Sequence, residues 1–288
     1  MLNRFGFAIN YALGRDIGGR AVVRFADDNF LIAYPGSGGQ WLRRLVGNII
    51  EPGSPVTEGN ICQRVPSLYE MSRRGLLKVP RPRIIFSHES FDSDCRNKVV
   101  YMIRDPRDVA VSIYNCHGAH ARDHLAGVEE FVSTYFMRTD QYQGGWAEDF
   151  SGSIRQEGGF FYRIRLRDEF LGTPASWGES VMSWVGARGH DPNGLLRIRY
   201  EDLLLDAETV LSSICEYLKL LRTPNQIRDA VRASHAVATP EEPGAWKGKL
   251  PSSCVQEIEA VWGFVMSLCG YPPAQQMDLL CANTRAGI

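Results

Sequence analysis

The sequence predicts an α/β fold in which a parallel β-sheet is flanked by helices. Short, almost continuously apolar runs recur at 28–34, 83–87, 98–104 and 194–200, and stretches of helical periodicity separate them. Strands that are apolar on both faces and alternate with helices are typical of a parallel sheet that helices cover on both sides. The first run also passes through a glycine-rich turn into a helix, which is how many phosphate-binding sites are built.

The first three strands and two of the helices are predicted from local patterns. The run at 28–34 predicts a buried strand, and SGGQWLRRLVGNII (37–50) repeats its apolar residues at helical spacing. The runs 83–87 and 98–104 predict the next two strands. Pro106 then stands where a helix can begin, because its fixed φ suits a first turn, and RDVAVSIYN continues that helix.

The last third of the chain predicts one more strand and several helices. GLLRIRY (194–200) predicts the fourth strand, and the amphipathic stretch EDLLLDAETVLSSICEYLKL (201–220) predicts a single helix after it. Helical patterns return at 223–234 and at 251–269. Gly270 is expected to close the last helix, because glycine readily adopts the left-handed conformation that follows many helices.

The stretch from about 117 to 173 has looser periodicity and is predicted to be an insert. The whole chain, 1–288, is predicted to form a single domain with its core at about 28–271. Within the insert, GGFFYRIRLRDEF alternates apolar residues with three arginines: Arg163, Arg165 and Arg167. This alternation predicts a half-buried strand or hairpin. Its basic face is either simply solvated or, if the insert covers the mouth of the active site, able to select an acidic acceptor.

Composition and charge narrow the functional classes. The chain has 288 residues, 44% of them hydrophobic, with 32 Lys and Arg against 33 Asp and Glu. The formal net charge of −1 gives no global field that would recruit nucleic acid or an anionic membrane. No uncharged run approaches the ~20 residues of a membrane span, and MLNRFGFAINYALGRD is too interrupted for a signal peptide. We expect a cytoplasmic protein without a nucleic-acid partner or an integral membrane segment, of open oligomeric state.

The cysteines agree with a reducing compartment. There are seven: Cys62, Cys95, Cys116, Cys215, Cys254, Cys269 and Cys281. Their number is odd, they are scattered, and none forms a CxxC pair, so a disulfide framework or a zinc site is disfavoured. The sequence therefore predicts reduced and mostly buried thiols.

The glycine-rich turn YPGSGGQW has the composition of an anion-binding loop. Gly36, Ser37, Gly38 and Gly39 have small side chains that let successive backbone N–H groups converge, and the positive end of the following helix adds to the attraction. The turn lacks the Lys-Ser/Thr pair with which a Walker A loop holds phosphate and magnesium. A nucleoside-triphosphate kinase is therefore disfavoured.

A second motif, VVYMIRDPRDVAVSIYN, places a cation and a hydroxyl near each other. Arg104 stands at the end of a predicted strand, and Ser112 lies inside the helix that begins near Pro106. A strand end and an early helical turn can contact one ligand group, and a guanidinium fork with a hydroxyl suits a phosphate.

Together, YPGSGGQW and RDPRDVAVS resemble the two nucleotide-binding signatures of the sulfotransferases that use 3′-phosphoadenosine 5′-phosphosulfate (PAPS). The resemblance implies the P-loop-like sulfotransferase fold, PAPS as cosubstrate and no required metal. It makes Arg104 and Ser112 ligands of the 3′-phosphate. The family's loop for the 5′-phosphosulfate is usually YPKSGTTW or YPKSGNTW. It falls here on Gly36, Ser37, Gly38, Gly39, Gln40 and Trp41.

Further segments agree in order along most of 28–271. The poorly matched stretch is about 117–173, where family members differ because their acceptors differ, so the resemblance makes it a variable, acceptor-binding insert. PRIIFSHES is similar to the family segment that carries the catalytic histidine, here His88, and LLRIRYEDLLLD to the one whose tyrosine, here Tyr200, approaches the adenine. WGESVMSW resembles a tryptophan-bearing helix, and GAWKGKLPSSCVQEIEAVWGFVMSLCGY the C-terminal segment. The resemblance adds Ser234, Trp246 and Lys247 to the nucleotide-binding residues.

The chain departs from the family pattern at four places. Gly36 replaces the lysine that generally holds the bridging oxygen of the leaving group, and Gly39 and Gln40 replace residues that are commonly Thr or Asn, then Thr. The family's RKGxxGDW box is absent in that form, with EEPGAWKGK instead. His235 stands near the position of an adenine-stacking Phe.

The resemblance implies in-line sulfuryl transfer with a loose transition state. His88, whose ordinary pKa is near 6.5, would be the general base, with Glu89 in reserve. The charge on the leaving oxygen would be stabilised by the amides of 36–41 and by a cation. We expect that cation to be Lys247, with Arg43 or Arg44 as alternatives. Trp41 either stacks on the adenine or belongs to the core.

Several alternatives stay open. The acceptor would be a hydroxyl, or secondarily an amine, of a small molecule, glycan or lipid. A binding protein that has lost turnover, and a P-loop nucleotide kinase, are the competing functions. HGAHARDH also places His117, His120 and His124 on one side of a helix, with Asp123 nearby. Such a cluster is either a polar surface, a metal site or part of the acceptor region.

Overall fold

The protein was analysed as a computed structural model, which describes residues 25–68, 70–91, 97–122, 127–137, 176–188, 194–237 and 240–274. Its sheet has four strands in the order β2-β1-β3-β4, all parallel. They are β1 (Asn29–Ala33), β2 (Ile84–Ser87), β3 (Lys98–Ile103) and β4 (Leu195–Arg199). Each lies within the apolar run that predicted it, so the predicted parallel sheet is confirmed.

Helices connect the strands and follow the last one. The α-helices are α1 (Gly39–Ile50), α2 (Ile61–Arg64), α3 (Arg73–Lys78), α4 (Pro106–Arg122), α5 (Val128–Phe131), α6 (Trp177–Arg188), α7 (Tyr200–Leu205), α8 (Ala207–Leu218), α9 (Pro224–His235) and α10 (Ser252–Leu268). A π-helical turn follows α5 at Val132–Phe136, and a 3₁₀ turn lies at Ala245–Gly248. Within the described ranges, no helix is both long enough and apolar enough to cross a bilayer.

Both faces of the sheet are buried, because alternate strand residues point to opposite sides. In β1, Phe30 and Ile32 belong to a core that also includes buried residues of α4, α6 and α10. Leu31 and Ala33 belong to a second core, with buried residues of α1, α7, α8 and α9. The near-continuous apolar character of the strands therefore has the cause that the sequence predicted.

The stretch 201–220 forms two helices, so the prediction of one helix is wrong. The break is at Asp206, whose backbone leaves helical geometry (φ −145°, ψ 76°) and whose carboxylate accepts a hydrogen bond from the Thr209 amide at 3.0 Å. Aspartate is among the best residues for this capping position, so it ends α7 and starts α8. Leu203 and Leu211 still face one core, which is why the apolar periodicity runs through the break.

The described cysteines are less buried than predicted. All five are free thiols, but only Cys215 and Cys254 are buried. Cys62 and Cys269 are half-buried, and Cys116 is exposed on α4. The expectation of mostly buried thiols is therefore wrong for the part of the chain that the structure describes.

Candidate active site

The predicted site residues lie at the carboxyl edge of the sheet. The glycine-rich loop follows β1, His88 follows β2, Arg104 follows β3 and Tyr200 follows β4. In a parallel sheet these four strand ends meet at one edge, which is where open α/β sheets bind ligands.

The loop between β1 and α1 requires glycine at two positions. Gly36 and Gly38 have left-handed backbones, with φ of 76° and 84°. A Cβ at position 38 would lie 2.5 Å from the Tyr200 ring, and one at position 36 would lie 2.7 Å from Cγ1 of Ile113. The loop is therefore held tightly between α4 and the start of α7.

The absence of a lysine at position 36 is built into this packing. Besides the close approach to Ile113, a Cβ at Gly36 would come within 3.2 Å of the Val109 carbonyl oxygen in α4. A side chain there would need both a strained left-handed backbone and a shift of the helix. The close contact between the loop and α4 therefore depends on glycine at position 36.

The start of α1 presents donors to an anion. Its N-cap, Gly38, provides no side-chain hydrogen bond, so the amides of Gly39 and Gln40 have no side-chain cap, whereas the Trp41 amide donates to the Gly38 carbonyl oxygen at 3.0 Å. Ser37 is fully buried, and its Oγ has no hydrogen-bond partner among the described residues. The indole N–H of Trp41 is likewise buried and unpartnered there. Uncapped amides beside an unsatisfied hydroxyl suit a phosphate or sulfate group.

Arg104 joins the two sequence motifs. Its side chain is 2% exposed, and Nη1 donates to the carbonyl oxygen of Gly36 at 2.9 Å. Nη2 donates to the carboxylate of Glu241 at 3.0 Å, and the guanidinium carbon lies 4.2 Å from the centre of the Tyr200 ring. The cation predicted to hold a phosphate therefore lies directly beside the loop.

Ser112 shares the neighbourhood of Arg104. The thiol of Cys116, one turn further along α4, lies close enough to Arg104 and Glu241 for both charges to act on its pKa. Although Cys116 is exposed as a residue, partial desolvation of its thiol, followed by the charge of Glu241, raises this pKa, whereas Arg104 and then Ser112 lower it. Ser112 therefore lies on the part of α4 that is near Arg104, and its role as a phosphate ligand stays a prediction.

Three aromatic rings meet beside the loop. Trp41 is 5% exposed, and its ring makes edge contacts with Tyr200 (centroids 6.0 Å apart) and His235 (5.5 Å). Burial raises the pKa of Tyr200 to about 12, although Arg104 opposes this, so its hydroxyl is a neutral donor. That hydroxyl donates to the Glu241 carbonyl oxygen at 2.7 Å.

Ser234, another predicted nucleotide ligand, has its hydroxyl engaged within the protein. Its Oγ accepts from Asn48 at 2.9 Å and donates to the carbonyl oxygen of Ala230 at 2.8 Å. The residue is 1% exposed and ties α9 to α1. These contacts give Ser234 a role in packing two helices that line the site.

His88 is held as a neutral imidazole in one tautomer. Its Nδ1 lies 2.6 Å from the carbonyl oxygen of Ala33, which can only accept, so Nδ1 carries the proton and Nε2 the lone pair. The ring contacts Phe86 edge-on, with centroids 4.9 Å apart. Burial lowers the pKa of His88 to about 4, against the opposing effects of the hydrogen bond to Ala33 and the charge of Glu70. The imidazole is therefore neutral at physiological pH.

The segment after His88, including Glu89, is held by Trp184, whose indole N–H donates to the Glu89 carbonyl at 2.8 Å.

The alternative cations in α1 are committed to other partners. Arg43 is 1% exposed and donates to the Val65 carbonyl oxygen at 2.8 Å and to the Glu70 carboxylate at 2.7 Å. Arg44 is ion-paired with Glu58. The idea that either arginine supplies the leaving-group charge is therefore not supported by the structure.

Lys247 is exposed and lies in the 3₁₀ turn at Ala245–Gly248. Its ammonium is 5.8 Å from the centre of the Trp246 ring, which is itself 6% exposed and lies 4.3 Å from the guanidinium carbon of Arg107. The structure thus places Trp246 in the core against Arg107. The roles of Trp246 and Lys247 toward a nucleotide stay predictions.

Sequence reasoning missed the residues that hold this turn. The carboxylate of Asp108 accepts from the amides of Gly244 (2.7 Å) and Trp246 (3.0 Å). Arg107 is fully buried and bonds Asp105 and Glu259 at 2.7 Å each. The sequence RDPRDV contains the signal, because Asp105, Arg107 and Asp108 lie at the start of an apolar helix without an evident partner.

A cavity of about 980 Å³ opens at the opposite, amino edge of the sheet, near Asn29 and Ile84. Two of the arginines that line it are already paired, Arg64 with Glu51 and Arg81 with Asp27. No predicted site residue lines it, so we place the chemistry at the carboxyl edge.

Some predictions fall outside the described residues. These include most of the insert with its three arginines, together with Asp123, His124 and the side chains of His117 and His120. Within the described ranges, no group of His, Cys, Asp and Glu side chains could hold a metal ion.

Comparison with known proteins agrees with the resemblance. A family model described as the sulfotransferase domain matches residues 26–261. Sulfotransferase 2B1 of Rattus norvegicus is 30% identical over 184 residues, which cover 56% of this chain and 54% of the relative. The 3-beta-hydroxysteroid sulfotransferase of Cavia porcellus is 28% identical over 211 residues, or 70% and 62% of the two chains. The matched part thus spans little more than half the length of the first relative.

A solved structure shares the fold. It is the crystal structure of mouse sulfotransferase SULT7A1 complexed with PAP (3′-phosphoadenosine 5′-phosphate). The alignment covers 92% of this chain and 90% of the mouse chain. The TM-score is 0.53 at 17% sequence identity. At this identity the likeness concerns the fold alone.

Proposed function

This chain belongs to the sulfotransferase family, and we propose that it transfers the sulfuryl group of PAPS to a hydroxyl, or secondarily an amine, of a small molecule, glycan or lipid. The observation that carries the proposal is the hydrogen bond from Arg104 Nη1 to the Gly36 carbonyl oxygen. It unites, at one sheet edge, two anion-binding elements that lie 68 residues apart in the chain. A nucleotide with phosphates at both ends needs two such elements at once.

In the proposed reaction, His88 removes the proton from the acceptor hydroxyl. The acceptor oxygen then bonds to the sulfur while the bond from sulfur to the bridging phosphate oxygen breaks. PAP is the leaving group and keeps that oxygen on its 5′-phosphate. The neutral imidazole with its lone pair on Nε2 supports the base role, because Nδ1 is engaged with Ala33. The proton ends on His88 and passes to solvent after product release.

The developing charge on the leaving phosphate is met by the amides at the start of α1. Preorganised N–H donors of this kind are worth several kcal/mol, roughly 10²–10³ in rate for one donor. Lys247 remains our proposed cation for the leaving oxygen, in place of the lysine that Gly36 cannot provide. Ser37, whose buried hydroxyl has no partner among the described residues, is positioned to donate to the same phosphate.

The first acceptors to test are hydroxysteroids, because one relative is named a 3-beta-hydroxysteroid sulfotransferase. We also propose a cytoplasmic location, supported by the five free thiols in the described part of the chain. Neither the net charge of −1 nor any described feature favours a nucleic-acid partner.

The test has two stages. Thermal-shift titration with PAP, and separately with ATP and magnesium, should show stabilisation by PAP only. Transfer of labelled sulfuryl from PAPS to a panel of hydroxysteroids, phenols, sugars and amines should then give at least one labelled product. A protein that ignores PAP at 1 mM contradicts the proposal.

A second candidate, a nucleotide-binding protein without turnover, is motivated by the specific loss of the loop lysine at Gly36. It predicts the same stabilisation by PAP with no labelled product from any acceptor. The two functions therefore differ in the second stage alone.

A further inference from the structure

Glu241 accepts hydrogen bonds from two residues of the proposed nucleotide site. The carboxylate of Glu241 accepts from Nη2 of Arg104 at 3.0 Å, and its backbone carbonyl oxygen accepts from the Tyr200 hydroxyl at 2.7 Å. Glu241 lies 137 residues from Arg104 in the sequence, so the pairing is made by the fold. An anionic group of the chain itself therefore sits on the arginine that the proposed function reserves for a phosphate.

We propose that Glu241 is a built-in competitor for the 3′-phosphate of the donor, and that it determines how tightly and selectively this chain binds 3′-phosphorylated nucleotides. The inference rests on the proposed function, because it assigns a phosphate to Arg104. It adds a specificity-determining residue to that site, one that acts against binding.

The competition follows from the donors that Arg104 has available. Nη1 donates to the Gly36 carbonyl oxygen and Nη2 to Glu241, while Nε has no partner among the described residues. Because the Glu241 carboxylate lies against Nη2, a phosphate that binds this side of the guanidinium must take the place of the carboxylate. The two anions cannot share the position, because like charges at contact distance repel strongly in a partly buried site. Nucleotide binding thus requires the Glu241 side chain to leave Arg104.

Within this ion pair, the Glu241 side chain is freer to move than that of Arg104. The Arg104 side chain is 2% exposed, whereas that of Glu241 is 36% exposed and can turn toward solvent. Its neighbourhood is anchored on the C-terminal side, where Asp108 holds the amides of Gly244 and Trp246. A change of side-chain rotamer at Glu241 therefore suffices, with the following turn held in place.

The tests are calorimetric titrations of the full chain with PAP and with adenosine 5′-monophosphate (AMP), which lacks the 3′-phosphate. Glu241→Gln removes the charge and keeps the shape. We expect it to tighten PAP binding about five- to tenfold and to leave AMP binding within about twofold of wild type. Glu242→Gln is the matched control, since Glu242 is the exposed adjacent acid, and it should bind both nucleotides as wild type does.

Each outcome has a definite meaning. Equal or weaker PAP binding by Glu241→Gln, reproduced with Glu241→Ala, overturns the inference while leaving the proposed function intact. So does equal tightening of PAP and AMP, because the effect would then not concern the 3′-phosphate. If wild type and all variants fail to bind PAP at 1 mM, the proposed function fails and the inference falls with it.

Discussion

The two ends of the proposed nucleotide site differ in how many of their hydrogen-bond donors already have a partner in the protein. We define the loop end as residues 36–41 with His88, and the arginine end as Arg104, Tyr200 and Glu241. At the loop end, the helix start has no side-chain cap, and the buried hydroxyl of Ser37 and indole N–H of Trp41 have no partner among the described residues. At the arginine end, Glu241 accepts from both Nη2 of Arg104 and the hydroxyl of Tyr200, and Nε of Arg104 has no partner among the described residues.

This difference separates the two tasks of the site. Donors that have no partner before the reaction are preorganised, so little rearrangement of the protein is needed when charge develops during transfer. A group that is already paired must first give up its partner, so its net contribution to binding is reduced by the pair that is lost. We propose that the loop end serves the chemistry and that the arginine end sets the affinity for the nucleotide. The predictions below test this division, starting with the largest effect.

The largest effect is expected at the loop end. His88→Asn should lower the rate of sulfuryl transfer by about 10²–10⁴-fold, because the general base is lost while the asparagine amide can still donate toward the Ala33 carbonyl. PAP affinity should change less than about threefold. Single-turnover transfer and calorimetric binding measure the two quantities separately. Wild-type transfer by this variant would remove His88 from the mechanism.

The arginine end should show the converse. Arg104→Gln is expected to weaken PAP binding by about 10–100-fold, because charge-assisted hydrogen bonds to a buried cation are lost. AMP binding should weaken much less. The control is Arg228→Gln, an exposed arginine on α9 that is ion-paired with Glu208.

A double variant sharpens this test. Once Arg104 is replaced, Glu241 has no guanidinium to occupy, so adding Glu241→Gln should give little further tightening of PAP binding. Additive effects of the two changes would contradict the direct competition between the carboxylate and the phosphate.

The rigidity of the loop end is tested by a matched pair of glycines. Gly36 (φ 76°) and Gly53 (φ 85°) share a left-handed backbone, but only at Gly36 would a Cβ meet other atoms. Gly53→Ala should cost about 1 kcal/mol of unfolding free energy from backbone strain. Gly36→Ala should cost about 1–3 kcal/mol more, from crowding against Ile113. Denaturant unfolding measures both, and equal costs would show that the loop is not pressed against α4.

The smallest effect concerns pH. The folded pKa of His88, about 4, lies below the ordinary value of 6.5, so the unfolded chain binds a proton that the folded protein does not between these values. Stability that depends on neutral His88 is therefore complete above pH 6.5 and decreases as the pH falls toward 4. Relative to His88→Asn, the wild type should lose about 1–2 kcal/mol of unfolding free energy between pH 7 and pH 5. A constant difference would show that the imidazole is not held neutral.

Local sequence patterns predicted the frame of the molecule well. Strand positions, the start of α4 at Pro106 and the end of α10 before Gly270 all follow from short-range chemistry: apolar runs, a fixed φ and a left-handed glycine. The gathering of His88, Arg104 and Tyr200 at one edge also follows, since parallel strands end on the same side. The break at Asp206 was missed, because a capping aspartate does not interrupt the apolar periodicity. The short helices α2 and α3 were not predicted either.

The pairings inside the site were beyond such reasoning. The contact between Arg104 and Glu241 joins residues 137 apart, and the approach of Gly36 to Ile113 depends on how closely α4 packs on the loop. Arg43 looked like an available cation because its α1 stretch was assessed alone, whereas the fold brings Val65 and Glu70 to it. Contacts between distant segments decide which charges remain available, and one sequence does not state them.

The central claim is that both ends belong to one nucleotide site, and a crystal structure of the protein with bound PAP tests it most directly. The account predicts the 5′-phosphate against the amides of 37–41, the 3′-phosphate on Nη2 of Arg104, and the Glu241 carboxylate turned away from that arginine. PAP bound with the Arg104–Glu241 pair intact, or bound at the amino edge of the sheet, would contradict it.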